Sequence, residues 1–471
     1  MAAIESPISR LTLQKYDSTT SFDIRKTRLP FMRPEMTSYD PRDHRAPLQP
    51  IKVWMAYFNL LRTVCGAGML AMPLIISQAG IILGPILTVA TGVLIIHTHF
   101  MLLGSLYEIS RQLKIPYISY RYGFRLAVLH GPPMFKSIGK RGPQIIATFM
   151  IMSQLGICTV FVTFTTDSLR DLMDWQSNTP AFLSLLFPYL ILEFCMKNLR
   201  IVSYVALLGN LLNLIGLILV FEHILYDPSA KGAVIGATTD PLGVLFAFGS
   251  LLFNLSAVGV TLSLDKALED TRRMTSRFGV INVGIFVPTI ISVIFGCEGY
   301  WAFGTMEENI LRSLAFDEDK SMAAIGLYLI AVAFAYPLQC YPAIQTIVEV
   351  FKYRDTDNPP SDNTLRLIET LGRPLFVVLS FLISYMVPFQ GPFVAFVGNL
   401  CTSMLSLVFP ALMDICLRYP YHFGEKKVHL IKDIIIIAMG LTAVLYGAIL
   451  CGYLIHIRLL SKSSPNNHGF F

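Results

Sequence analysis

The residues best suited to binding chemistry sit where an apolar stretch stops suiting a helix. Residues 57–73 read Tyr-Phe-Asn-Leu-Leu-Arg-Thr-Val-Cys-Gly-Ala-Gly-Met-Leu-Ala-Met-Pro, with Gly66, Ala67 and Gly68 near the centre and Pro73 shortly after. Glycine costs a helix interior about 1 kcal/mol relative to alanine and proline about 3 kcal/mol, so an interruption is expected here. Breaking a helix in mid-membrane frees backbone N–H groups and starts a new helix whose positive dipole end suits a carboxylate. Such breaks are tolerated only beside a protein-lined cavity. The same glycines would equally serve close helix packing.

Arg62 lies about ten residues into that stretch. A guanidinium at such depth costs several kcal/mol unless it faces water or a counter-charge, so it is expected to face the interior, as a cavity group or as a tie between helices. Asp265, Glu193, Glu298 and Asp414 are the candidate carboxylates, and spacing does not choose among them. A second interruption is expected in residues 253–265, Phe-Asn-Leu-Ser-Ala-Val-Gly-Val-Thr-Leu-Ser-Leu-Asp, where Asn254, Ser256 and Gly259 fall at mid-depth. Gln154, Tyr336, Gln339 and Asn399 are further polar residues inside apolar runs, and each can line a cavity or bond to backbone. His97 and His99, two residues apart, point to opposite sides of a helix and are not expected to share a metal.

These groups need a membrane around them. The 471-residue chain has 14% charged and 54% hydrophobic residues, with a mean hydropathy of +0.58. Soluble domains carry roughly 25% charge, so a soluble reading is excluded and lipid must solvate much of the surface. Nine runs lack Asp, Glu, Lys and Arg. Two of these, Thr63 to Tyr107 and Pro374 to Met413, are too long for one span at about 1.5 Å per residue. Turn residues break them at Gln78, Ala79, Gly80 and Pro85, and at Pro388, Gly391 and Pro392. Eleven helices are therefore expected, and continuous apolar runs without period-2 alternation disfavour a β-barrel.

With the N-terminus in the cytosol, thirty Lys and Arg fall on inside segments and six outside. That bias places the C-terminus outside or in a lumen. It also accounts for most of the +6 net charge, leaving no need for a nucleic-acid partner. Residues 1–50, polar and bearing six prolines, read as a disordered cytosolic tail. Residues 51–457 form the membrane domain and 458–471 a short outer tail. All eight cysteines fall in or at the ends of spans, which disfavours a lumenal disulfide framework, and the sequon at Asn254 is inside a span. No P-loop, nucleophile elbow, HExxH or CxxC pair is present, so neither an enzyme nor a metal or cofactor is expected.

In order along the chain stand Tyr39-Asp-Pro-Arg-Asp-His44-Arg45, Arg62 through Pro73, Tyr107-Glu108 with Lys114-Ile-Pro116, and Gln154-Leu-Gly156. Lys197-Asn-Leu199, Gly259-Val-Thr-Leu-Ser-Leu-Asp265, Gly299-Tyr300 with Phe303-Gly304, and Ala335-Tyr-Pro-Leu-Gln339 follow. With these motifs the sequence resembles the amino acid/auxin permease superfamily and, within it, the proton-coupled amino acid transporter family, over most of the chain. The resemblance implies an all-α fold of a 5+5 inverted repeat with discontinuous helices 1 and 6 plus one extra helix. It also implies import of small neutral amino acids toward the cytosol with protons, across a plasma or lysosomal/vacuolar membrane.

Three positions depart from the family pattern. Asn59 stands where members commonly have histidine, Leu255-Ser256-Ala257-Val258-Gly259 replaces Phe-Glu-Gly-Ile-Gly, and Val64 replaces an asparagine. Proton coupling is thereby left open, with an uncoupled uniporter or a non-transporting amino acid sensor as the alternatives. Backbone recognition survives all three changes. The expected site has the substrate carboxylate at the N–H groups of Val64, Cys65, Gly66, Ala67 and Gly68, and the amine at carbonyls around Leu255, Ser256 and Ala257. Asn59, Arg62, Gln154, Asn254, Tyr336 and Gln339 are the candidate cavity residues.

Overall fold

Turn and cap chemistry ends each apolar run. Gly80, at φ 88°, closes the helix Met72–Ala79 in a conformation that side chains rarely adopt, and Leu83–Leu113 begins three residues later, dividing the first long run. Asp240 accepts from the Leu242 N–H at 3.0 Å and Ser361 from the Thr364 N–H at 3.2 Å, each capping the helix that follows. The second long run divides between Met386 and Gln390; Pro388 lies outside the described residues.

The computed structural model describes residues 39–47, 49–226, 236, 240–304, 310–313, 319–353, 360–387, 389–420 and 427–463. These are helical apart from loops and one isolated parallel bridge, Ile51 to Leu268. In chain order the helices are α1 (Val53–Val64), α2 (Ala67–Leu70), α3 (Met72–Ala79), α4 (Leu83–Leu113), α5 (Tyr120–His130), α6 (Lys136–Leu172) and α7 (Thr179–Cys195). Then come α8 (Leu199–Tyr226), α9 (Pro241–Leu255), α10 (Val258–Ala267), α11 (Val280–Phe303), α12 (Asp319–Lys352) and α13 (Asp362–Met386). The chain finishes with α14 (Gln390–Val397), π-helical turns over Gly398–Thr402 and Met404–Val408, α15 (Phe409–Arg418), α16 (Val428–Thr442) and α17 (Ala448–Ser463). Among the described residues, nine helices are long and apolar enough to cross a membrane. The broken stretch α1–α3 and the shorter apolar α7 stand beside them. The last helix continues past Arg458, where an outer tail was expected to begin.

Burial separates centre from rim. The α9–α10 unit is 83% buried over its most apolar stretch, against 33% for α13 and for the last span, so the sixth span is the axis of the molecule. Leu183, Phe187, Leu375, Ile434 and Ile449 are mostly exposed on the rim, where only lipid solvates them. Around the axis, α12 packs most extensively on α6 and α8.

Residues 39–47, the end of the expected tail, are docked onto one end of the bundle. The Ile51 N–H donates to the Ala267 carbonyl at 2.9 Å, and the Glu269 N–H to the Ile51 carbonyl at 3.1 Å. Arg45 donates to the Asp265 carboxylate at 2.8 Å, to the Asp265 carbonyl at 2.9 Å and to the Pro116 carbonyl at 3.1 Å. Tyr107 donates to the same carboxylate, and the Arg45 guanidinium lies 5.0 Å from the centre of its ring. Burial works to lower the Arg45 pKa, but the Asp265 carboxylate and Tyr107 more than offset it and hold it above its ordinary value. Asp265→Asn removes the charge that fastens this clamp, so trypsin cleavage after Arg45, followed by mass spectrometry on the purified protein, should accelerate about tenfold. An unchanged rate would show that backbone contacts alone hold the segment.

Candidate functional site

The first span unwinds over two residues. Helix α1 ends at Val64, the Cys65 N–H donates to the Leu61 carbonyl at 2.8 Å, and Gly66 is extended (φ −83°, ψ −154°) before α2 starts at Ala67. The sixth span unwinds likewise. Helix α9 ends at Leu255, Ser256 is extended (φ −85°, ψ 134°), Ala257 departs from helical geometry, and α10 starts at Val258.

The two breaks are neighbours. A Cβ on Gly68 would lie 2.4 Å from Asn254 Oδ1, so only a glycine lets α2 approach α9 this closely. Asn254 also donates to Met72 Sδ at 3.3 Å. Phe161 packs over Gly66, where an added Cβ would meet its ring at an ordinary 3.5 Å.

The break in the sixth span borders a small cavity of about 10 Å³, measured as space open to the centre of a water molecule. That is room for about one water. Its walls include Gln154 from α6, Gln339 from α12, Ser256 and Ala257 at the break, and Thr402 and Ser406 from the π-helical turns. Ser256 and Ser406 hydroxyls are 2.5 Å apart, and Gln154 Oε1 is buried without a hydrogen-bond partner. No wall residue is charged.

The remaining candidates lie away from this cavity. Asn59 donates to the Ser203 hydroxyl at 2.7 Å and ties α1 to α8. The Tyr336 hydroxyl meets Ser380 at 2.9 Å, joining α12 to α13. Val64, Cys65, Gly66 and Gly68 do not border it either. Arg62 is wholly buried and reaches backbone carbonyls of Gly209 and Ala331. None of its four candidate carboxylates is paired with it: Asp265 binds Arg45, Glu193 binds Arg373, Asp414 binds Arg418, and Glu298 is exposed.

Two interrupted spans side by side, with uncharged polar groups at one break, are the geometry of a transporter core. The family described as "Transmembrane amino acid transporter protein" matches residues 49–451. The chain belongs to this family.

Its members are transporters and not enzymes. The chain is 23% identical over 400 residues to the "Proton-coupled amino acid transporter-like protein pathetic" of Drosophila melanogaster, covering 83% of this chain and 82% of that protein. It is 23% identical over 381 residues to the "Amino acid transporter AVT3C" of Arabidopsis thaliana, covering 76% and 81%. Among solved structures, a substrate-bound, outward-open Na+-coupled sialic acid symporter superposes with a TM-score of 0.54 at 12% identity, covering 95% of this chain and 98% of that one. That likeness shows the fold, an inverted-repeat membrane transporter fold of the all-α class.

Sequence reasoning missed Ser153, Thr402 and Ser406 as cavity walls. The available signal was the polar run Cys401-Thr402-Ser403 with Ser406 inside an apolar span, of which only Asn399 was singled out.

Proposed function

We propose that this protein is a secondary transporter carrying small neutral amino acids toward the cytosol through the junction of the two interrupted spans. The adjacency of the breaks at Cys65–Gly66 and Ser256–Ala257 carries this reading. The substrate carboxylate meets the N–H groups of Gly66, Ala67 and Gly68 where α2 begins, since the Cys65 N–H is taken by the Leu61 carbonyl, and the amine meets carbonyls of residues 255–257. A cationic or anionic side chain would find no counter-charge among the cavity walls, which favours neutral substrates. The cavity holds about one water, so in this reading an amino acid enters when α1–α3 and α9–α10 part. In this reading eleven spans cross the membrane, α1–α3 and α7 among them, with the N-terminus in the cytosol.

The test is uptake of radiolabelled alanine, proline and leucine by proteoliposomes, with counterflow to detect exchange. Accumulation or counterflow supports transport. Binding without flux overturns it in favour of an amino acid sensor.

Asn59 and Ser256 cannot titrate, so uptake should depend only weakly on pH, changing less than about threefold from roughly pH 5 to 8, the range in which histidine titrates. Asn59→His or Ser256→Glu should steepen the dependence, because each adds a group whose charge changes near working pH. Steep acid stimulation of the unmodified protein would place a titrating group elsewhere.

A further inference from the structure

Arg62 is a cation sealed inside the bundle. Among the described residues, no carboxylate lies within salt-bridge reach of it, and it ranks among the largest fully buried side chains. Its ligands are main-chain oxygens of two other spans: Nη1 donates to the Gly209 carbonyl of α8 at 3.4 Å, and Nη2 donates to the Ala331 carbonyl of α12. Gly209 leaves room for the guanidinium, since a Cβ there would sit a tight 3.3 Å from Arg62 Nε. Arg62 itself sits in the last turn of α1, at the negative dipole end that the break creates. The titratable groups that act on it, Cys65 and Tyr328, are neutral in their ordinary state.

Carbonyls from neighbouring spans plus the C-terminal end of a half-helix are what membrane transporters use to hold a monovalent coupling ion. Here the same donor set surrounds a side chain that keeps its proton far more firmly than a lysine does. A purely mechanical tie needs no charge: Asn59, one turn earlier on α1, fastens the same helix to α8 with a neutral amide. Arg62 Nε has no hydrogen-bond partner among the described residues, so the guanidinium's hydrogen-bonding capacity is not filled.

We propose that the Arg62 guanidinium is a resident cation, filling the carbonyl site between α1, α8 and α12 that a free monovalent cation would otherwise occupy, so that the transport cycle runs without Na+. The inference rests on the transporter reading above. Its second readout is therefore independent of flux.

Uptake is measured in proteoliposomes with Na+ or N-methylglucamine outside, for the unmodified protein and Arg62→Ala. The unmodified protein should transport equally in both cations, within about twofold, because it carries its own charge. Arg62→Ala should lose about tenfold or more in N-methylglucamine and recover several-fold with Na+ or with low-millimolar methylguanidinium. The flux-independent readout is thermal unfolding of the purified proteins at constant ionic strength. Na+ or methylguanidinium should stabilise Arg62→Ala and leave the unmodified protein unmoved. Na+ stimulation or Na+ stabilisation of the unmodified protein overturns the proposal. So does an Arg62→Ala protein that remains monodisperse yet gains neither flux nor stability from any cation, which would make Arg62 a tie and nothing more. Loss of flux in every protein with the stability pattern intact would instead count against the transporter reading.

Discussion

Gly68→Ala should reduce amino acid uptake by about a hundredfold at equal surface abundance, the loss expected when a binding framework is displaced by about 1 Å. The added Cβ would lie 2.4 Å from Oδ1 and 2.9 Å from Cγ of Asn254, so the Asn254 amide must turn out of its place, or α2 and α9 must separate, where the two breaks meet. The effect is transmitted through one identifiable partner. Gly68→Ala combined with Asn254→Ala removes the colliding amide and should restore a measurable part of the uptake, whereas Asn254→Ala alone should be mild. Gly66→Ala is the matched control, because its Cβ meets Phe161 at an ordinary 3.5 Å and its φ of −83° suits any residue. It should keep uptake within about threefold of the unmodified protein, in line with a substitution that meets no strain. Normal uptake by a correctly localised Gly68→Ala protein would mean that the breaks do not act as one site.

What the sequence made legible was local, and what it hid was long-range. Gly66, Ala67 and Gly68 beside Pro73 announce a break, because helix propensity is a property of consecutive residues. Asn254, Ser256 and Gly259 announce the second in the same way. The interior position of Arg62 follows from the cost of its charge in lipid. Its ligands do not, because the carbonyls of Gly209 and Ala331 belong to the backbone, which every residue has. The docking of residues 39–47 was hidden for a related reason. Proline-rich polar composition describes an average, while the clamp depends on one guanidinium meeting one carboxylate 220 positions away. Thr402 and Ser406 stand out as polar residues in an apolar span, but the π-helical turns that bring them to the cavity depend on backbone geometry that residue type does not announce.

In the proposed cycle the site needs a frame that stays put while α1–α3 and α9–α10 rearrange. Helices α6, α7, α12 and α13 pack on one another and supply it. Tyr336 to Ser380 and Thr163 to Ser384 are neutral cross-links within it, at 2.9 and 2.7 Å. One cross-link is ionic: Arg373 of α13 donates to Glu193 of α7 at 2.5 Å, with both side chains at most 3% exposed.

Breaking that ion pair should produce the largest stability loss of any single substitution considered. Arg373→Met leaves the Glu193 carboxylate buried and unpaired, a situation that costs about 3–5 kcal/mol. Glu193→Gln should cost less, because Arg373 keeps Glu369 at 2.9 Å and the Lys197 carbonyl at 3.4 Å. Pairing Glu193→Leu with Arg373→Met removes both charges at once, and a well-packed apolar replacement for a buried ion pair is often neutral. The double variant should therefore recover most of what Arg373→Met loses. Thermal unfolding in detergent, with the temperature at which half the protein remains monodisperse as readout, orders the three variants. If Arg373→Met unfolds like the unmodified protein, helix packing alone holds the frame. If the double variant is as weak as Arg373→Met, shape complementarity at this junction, and not the unpaired charge, sets the cost. Uptake by a stable double variant adds the functional outcome: retained transport places the Arg373–Glu193 pair in the frame, and loss of transport gives the pair a part in the cycle.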